Sequence, residues 1–306
     1  AVASAARRDG LSTRGRRLRW TFQQSFAILG VIAMEHDNAT VGAAVRQELA
    51  NALFDAEEAR VGIAALTETA PGLTIEDAYA IQGLNTARRL AGGERIVGRK
   101  VGLTSAAMQR QLGVDSPDYG VLFDNMMVAD GDAVEVGELV APRVEAELAF
   151  VLGTDLAGPG VDVSAALRAI AGVLPAIEII DSRVADWKIT LADTIADNAS
   201  SARCVLGGRM LEPTALDLRL CGMALTIDGT VTATGAGAAV LGNPVRCLAW
   251  LANTLGAYGD GLRAGDVVLA GALHAAAPVV AGSSVTAEFA HLGSVGVRFV
   301  SQEEQA

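Results

Sequence analysis

Pro142-Arg143-Val144-Glu145-Ala146-Glu147-Leu148-Ala149-Phe150 reads as a strand, and the next apolar block, Val173-Leu174-Pro175-Ala176-Ile177-Glu178-Ile179-Ile180, holds a lone acid among hydrophobes. Along a strand, residues two apart leave the same face, so Glu145 and Glu147 point the same way. Glu178 stands among Ile177, Ile179 and Ile180, which mark its strand as buried. Ionised carboxylates are costly to bury without a compensating partner. One solution leaves Glu145 and Glu147 on the wet side of an edge strand and pairs Glu178 with an arginine. The other gathers all three around a cation. The isoleucines around Glu178 favour the cation, and an all-oxygen donor set with positions left open suits Mg²⁺ or Mn²⁺.

Composition narrows the classes. The 306 residues suffice for one large domain or a small one plus a larger one, and 51% hydrophobic residues with a mean hydropathy of +0.35 support a substantial core. A net charge of −11 argues against non-specific nucleic-acid binding. Apolar runs stay shorter than the ~18–20 residues that cross a bilayer. Cys204, Cys221 and Cys247 are scattered and odd in number, which fits a reducing cytoplasm and neither a zinc site nor a disulfide framework. Only two of the 24 basic residues are lysines, Lys100 and Lys188. Lysine supplies a compact, tunable point charge that a guanidinium cannot copy. Lys100, set between glycines and apolar residues in Gly98-Arg99-Lys100-Val101-Gly102-Leu103-Thr104, is therefore a functional candidate; Lys188 reads as a surface group.

Residues 1–33 form an extension in which six arginines precede the short apolar run 26–33. This has the outline of an export signal, but the run is short and Met34 follows at once, so the preferred reading is upstream sequence ahead of a start at Met34. Residues 34–97 form a helical lobe. Helical spacing from Thr40 to about Arg60 is followed by a capping box at Thr74-Ile75-Glu76-Asp77, and Gly92-Gly93 stops the second helix. Residues 98–302 carry mostly strands. A helix capped by Ser164 is expected to run through Leu167, Ile170 and Val173 to Pro175, a hairpin to turn at Asp228-Gly229, and a helix to start at Asn243-Pro244. Many strands with few helices give an α+β class rather than a doubly wound sheet.

The motifs Gly98-Arg99-Lys100-Val101-Gly102-Leu103-Thr104, Leu112-Gly113-Val114-Asp115, Pro117-Asp118-Tyr119-Gly120 and the two glutamate blocks resemble the 2-hydroxypenta-2,4-dienoate (2-keto-4-pentenoate) hydratases of the fumarylacetoacetate hydrolase superfamily. Asp181-Ser182-Arg183, Asp193 to Ser200 and Gly271-Ala272-Leu273 extend the likeness over roughly residues 73–299. The resemblance implies a rolled mixed β-sandwich of the fumarylacetoacetase C-terminal type beside the helical lobe. It also implies Mg²⁺ or Mn²⁺ on Glu145, Glu147 and Glu178, a homo-oligomer, and a role in meta-cleavage breakdown of aromatic compounds. Association with the downstream aldolase or a sister decarboxylase belongs to the same expectation.

The implied reaction adds water to 2-hydroxypenta-2,4-dienoate to give 4-hydroxy-2-oxopentanoate. Lys100 is expected to steady the carboxylate or developing enolate, and Asp118 to act as acid/base directly or through Lys100; capping its own turn is the other role open to Asp118. Leu103, Arg183, Thr194, Ser200 and His274 are the candidates for substrate contact. Arg183 has an ion pair with Asp181 or Asp186 as its alternative, and His274 a purely structural place in its loop. Trp187, Trp250 and Tyr79 read as packing residues. The rival activity is decarboxylation of 2-oxo-hex-3-enedioate (4-oxalocrotonate), which needs an added cation for the far carboxylate; Ala275-Ala276-Ala277 suits an apolar terminus instead. A fumarylpyruvate-type hydrolase needs a water-activating histidine, and none lies between Phe54 and Leu273. A non-catalytic partner of such an enzyme is the alternative from another class.

Overall fold

The computed structural model describes residues 41–105, 109–110 and 114–301. The arginine-rich start, Met34, and Leu112-Gly113 lie outside the described residues. Helices α1 (Ala43–Ala59) and α3 (Ile75–Ala91) form where the periodicity placed them, with a short α2 (Leu66–Thr69) between. At the start of α3, Thr74 Oγ1 accepts from the Asp77 N–H at 3.1 Å and Asp77 Oδ2 accepts from the Thr74 N–H at 3.2 Å, the expected capping box. These helices bury Leu49, Leu53, Ala78 and Ile81 against Ala192, Ile195 and Ala196 of α5 (Leu191–Ala196).

The remaining chain makes β1 (Ile96–Gly102), β2 (Asp118–Phe123), β3 (Met127–Val128), β4 (Ala133–Glu135), β5 (Arg143–Leu152), α4 (Val163–Ala169) and β6 (Ile170–Ile180). After α5 come β7 (Ser201–Leu206), β8 (Gly222–Ile227), β9 (Thr230–Ala236), α6 (Pro244–Ala257), β10 (Val267–Ala272), β11 (Ala277–Pro278), β12 (Ser284–Phe289) and β13 (Gly293–Val300). One mixed sheet has the order β2-β1-β10-β5-β6-β7-β3, with β11 added to β5; a second has the order β4-β13-β12-β8-β9. The α+β mixed sandwich is thus present.

The larger sheet is rolled, and the chain itself requires it. β2 and β3 stand at opposite ends of the strand order, yet only Asp124–Met126 separates them in sequence. Four peptide steps reach at most about 14 Å, whereas seven strands laid flat are about 29 Å across. The two edges must therefore meet. Alternation then sorts side chains between two faces. Outside the roll, Val144, Leu148, Phe150, Ile177, Ile179 and Val205 pack on Val285 and Val297 of the second sheet and on Leu248 and Leu251 of α6. Inside it, Leu122, Ala149, Ala176, Cys204 and Leu269 make a small apolar floor. The acids of β5 and β6 share that inner face with Lys100 and Asp118 of the paired β1 and β2.

Three expectations need correction. Asp162, not Ser164, caps α4, its Oδ1 accepting from the Ala165 N–H at 2.6 Å. The helix is short, and Ile170 and Val173 already belong to β6. Pro175 lies inside β6 rather than before it. Its carbonyl accepts from the Gly207 N–H at 2.9 Å, so its absent N–H faces Gly207, just past the end of β7, and only the reciprocal bond at the end of the ladder is missing. Finally, Asp118 opens β2, paired with Gly102, instead of sitting in a turn. The Asp228-Gly229 hairpin turn is confirmed by φ values of 52° and 77°. So is the Asn243 cap, whose Oδ1 accepts from the Val245 N–H at 3.0 Å. Among the described residues, no helix is long and apolar enough to cross a membrane, and the three cysteines are free and buried.

Candidate metal centre and active-site cavity

Strand pairing assembles the acids. Glu145 lies directly opposite Glu178 in the β5–β6 ladder and Glu147 is one same-face step along, so carboxylate oxygens of all three come within 4.8 Å of one another. Glu147 and Glu178 are fully buried. Two oxygens are fixed by neighbours: Ser201 Oγ donates to Glu178 Oε1 at 2.8 Å, and the Gly271 N–H donates to Glu147 Oε2 at 2.7 Å. Glu178 Oε2 makes no hydrogen bond and faces Lys100 Nζ at 3.3 Å. Burial pushes the Glu145 pKa up to about 7. Burial, then the Glu178 and Glu145 charges, drives Glu147 well above the ordinary carboxylate range. Such a cluster holds protons or a cation. An unmet buried oxygen where three carboxylates meet, with no sulfur or imidazole donor, suits a hard divalent ion.

Lys100 and Asp118 share one spot. A Cβ on Gly102 would meet Asp118 Oδ1 at 2.1 Å and Lys100 Nζ at 3.5 Å, so the missing side chain at Gly102 is what admits both groups. Burial opposes the ammonium, but Glu178, Asp118, Glu145 and Glu147 outweigh it and hold the Lys100 pKa above the ordinary lysine value. Burial raises the Asp118 pKa against the pull of Lys100, and Oδ1 of this carboxyl has no hydrogen-bond partner.

A cavity of about 310 Å³ opens beside these groups. Lys100, Leu103, Asp118, Glu145, Thr194 and Ser200, six of the residues singled out from the sequence, line it. Thr194 Oγ1 and Ser200 Oγ lie 3.3 Å apart, giving a pair of hydroxyls at one wall. Ser200 belongs to an unusual turn in which Asn198, Ala199 and Ser200 have φ values of 53°, 50° and 57°. Such residues cost about 1–2 kcal/mol each, so the turn must be held from outside. The Asn198 side chain does this, accepting from the Val121 N–H at 2.7 Å and donating to the Val121 carbonyl at 2.9 Å.

Two candidates are placed elsewhere. Arg183 is buried and engaged by Asp197, with Nε to Oδ1 at 2.5 Å, so its ion-pair partner is neither Asp181 nor Asp186. His274 has both ring nitrogens committed to backbone: Nε2 accepts from the Ala146 N–H at 2.9 Å and Nδ1 donates to the Ala275 carbonyl at 2.6 Å. Burial lowers its pKa and keeps the ring neutral. Lys188 is exposed and pairs with Asp186, as its surface reading anticipated.

Arg143, Ile180, Trp187, Ile189, Ala199 and Ala276 also line the cavity. Trp187 is therefore a wall residue and not only a packing one. The signal for Arg143 was available: it precedes Glu145 by two and shares its face. Trp187 and Ile189 reach the cavity by way of left-handed residues at 186 and 187, which no periodicity announces.

Comparison with known proteins identifies the family. The family described as fumarylacetoacetate (FAA) hydrolase C-terminal matches residues 95–300. A 2-keto-4-pentenoate hydratase of Paraburkholderia xenovorans (strain LB400) is 46% identical over 258 residues, 84% of this chain and 96% of that protein. A 2-hydroxyhexa-2,4-dienoate hydratase of Comamonas testosteroni is 42% identical, covering 81% of this chain and 94% of its own. Among solved structures, 4-oxalocrotonate decarboxylase from Pseudomonas putida G7, complexed with magnesium and adipate, is 40% identical with a TM-score of 0.83, over 86% of this chain and 100% of that one.

Proposed function

The chain belongs to the fumarylacetoacetate hydrolase family, and from that premise we propose that it is a divalent-metal hydratase converting 2-hydroxypenta-2,4-dienoate to 4-hydroxy-2-oxopentanoate. The observation that carries the reading is the convergence of Glu145, Glu147 and Glu178 beside Lys100 and Asp118 at one cavity. Relatives at 42–46% identity named as dienoate hydratases support the reaction, and the magnesium in the decarboxylase structure supports Mg²⁺, with Mn²⁺ an equivalent hard ion. The meta-cleavage breakdown of aromatic compounds is the setting that supplies such a dienoate.

Glu145, Glu147 and Glu178 would hold the ion, which when bound supplies a Lewis acid polarising the 2-oxygen of the substrate. The chain's own groups then manage protons. The enol proton leaves O2, a proton arrives at C5, and a C3–C4 double bond conjugated to the 2-oxo group results. Water adds its hydroxyl to C4 and a proton to C3. Asp118, a buried carboxyl with a raised pKa, would take and return these protons. Lys100, held protonated by its four acidic neighbours, stabilises negative charge as it develops on the enolate. Thr194 and Ser200 offer hydroxyls to the substrate, while Leu103, Ile180, Ile189 and Ala276 surround its apolar end.

A second reading, decarboxylation of 2-oxo-hex-3-enedioate, is favoured by one observation: Arg143 in the cavity wall. Incubation with Mg²⁺ or Mn²⁺ and either substrate separates them. Loss of dienoate absorbance without CO₂ is the expected result, and CO₂ released only from the diacid overturns it. We further read the protein as cytoplasmic, which its three free cysteines support, and as a homo-oligomer able to associate with the aldolase that consumes its product or with a sister decarboxylase, which rests on the family resemblance.

A further inference from the structure

We propose that Gln82 of the helical lobe is a positioning residue for the reaction: its side-chain amide sets the span between Asp118 and the hydroxyls of Thr194 and Ser200 across the cavity. The inference deepens the proposed function and rests on it for the roles of those three residues.

β2 is an edge of the larger sheet, paired with β1 on one side and, among the described residues, with no strand on the other. Three of its outward-facing backbone groups are met by side-chain amides instead. Asn198 takes the Val121 N–H and carbonyl, and Gln82 takes the Tyr119 carbonyl. Gln82 does more than close an edge. Its Nε2 donates to the Tyr119 carbonyl at 3.0 Å and also to the Ile195 carbonyl at 2.9 Å. Ile195 lies in the last turn of α5, where carbonyls lack partners within the helix. Both partners are acceptors, so the amide nitrogen is the atom between them and both its hydrogens are used.

Tyr119 follows Asp118 in the chain, and Ile195 follows Thr194. Asp118, Thr194 and Ser200 all line the cavity. One buried side chain thus ties the strand bearing the acid/base carboxyl to the helix bearing a substrate hydroxyl, and Ser200 is joined to Thr194 by their 3.3 Å contact. Helix α3 grips the same place a second time: Tyr79, three residues before Gln82, stacks on the Tyr119 ring with centroids 4.7 Å apart. The proposed metal ligands stand on β5 and β6, outside this bridge. Asn85, three residues further along α3, supplies a comparison. Its Nδ2 donates to the Ala50 carbonyl of α1 at 3.0 Å, tying the lobe to itself and to neither cavity wall.

The test compares wild type, Gln82→Met, which keeps length without a donor, and Asn85→Ala. In Gln82→Met, hydrogen–deuterium exchange is expected to quicken in segments 118–123 and 191–196 and to stay unchanged in 143–152 and 170–180, with Mn²⁺ affinity by calorimetry also unchanged. Its kcat for the dienoate is expected to fall about tenfold to a hundredfold, more than any change in KM. Asn85→Ala, although it loosens the lobe, is expected to keep wild-type kcat. Gln82→Glu, isosteric with at most one donor, is expected to follow Gln82→Met and serves if the apolar variant does not fold. Wild-type kcat in Gln82→Met, an equal loss in Asn85→Ala, or a parallel fall in Mn²⁺ affinity overturns the positioning role. Exchange is read without turnover: a wild type that leaves the dienoate untouched sinks the proposed reaction, whereas unchanged exchange at 118–123 and 191–196 sinks the bridge.

Discussion

At the scale of single residues, the inner face of the roll sets four acids, Asp118, Glu145, Glu147 and Glu178, against two cations, the buried ammonium of Lys100 and the Arg143 guanidinium beside Glu145. The imbalance makes protons compete with the metal. Glu145 is pushed up to about 7 and Glu147 well above the ordinary range, both chiefly by burial. Metal binding requires the ionised forms and so releases protons. Apparent Mn²⁺ affinity is therefore expected to climb as pH rises from 5 through about 7 and to level off only once Glu147 as well as Glu145 is ionised without help. Calorimetry across that range checks this, and a flat profile would contradict it. Glu178→Ala removes a proposed ligand that is also paired with Lys100. It is expected to weaken Mn²⁺ binding by at least about a hundredfold, more than loss of a supporting neighbour does, and to abolish turnover. These acids were legible in the sequence because a carboxylate among isoleucines needs an explanation. Arg183 and His274 were left open between two roles for the complementary reason: a polar residue in a loop reads identically whether it faces substrate or, as here, binds Asp197 and the backbone.

Among the structural elements, the left-handed turn Asn198–Ser200 is the one whose shape most directly supplies a wall of the cavity. Its backbone strain is sustained by the two hydrogen bonds from Asn198 to Val121. Asn198→Ala is expected to lower stability by about 2 kcal/mol, the cost of two backbone groups left without partners, and to raise KM for the dienoate as Ser200 loses its place. Denaturant melts together with steady-state kinetics read the two effects separately; an unchanged KM would detach the turn from substrate binding. No sequence pattern foretold this turn, since Asp-Asn-Ala-Ser is ordinary loop chemistry and three consecutive positive φ values need a tertiary partner. Helices α1, α3 and α6 were readable because cap and periodicity are both local. The limits of α4 and β6 were not: apolar residues at 167, 170 and 173 fit a helix, and pairing with β5 decided for strand.

For the whole molecule, an ion held at the proposed site, at the centre of a rolled sheet, would couple metal to folding. Ligand that binds only the native state adds about 2.7 kcal/mol at a concentration a hundredfold above Kd, so saturating Mn²⁺ is expected to raise the Tm by about 5 °C or more. Scanning calorimetry with and without chelator measures it, and the increment should vanish in Glu178→Ala. The α+β class and the apolar content of the sheet were visible in the sequence, whereas closure of the roll was not, because it depends on which strands end up as edges. That closure rests on Asp124–Met126, three residues joining the two margins of the larger sheet. Most surface connections tolerate inserted residues, but this one behaves as a clasp. Lengthening it would let the cylinder gape, rehydrate the acids within, and surrender the tension that makes them want a cation.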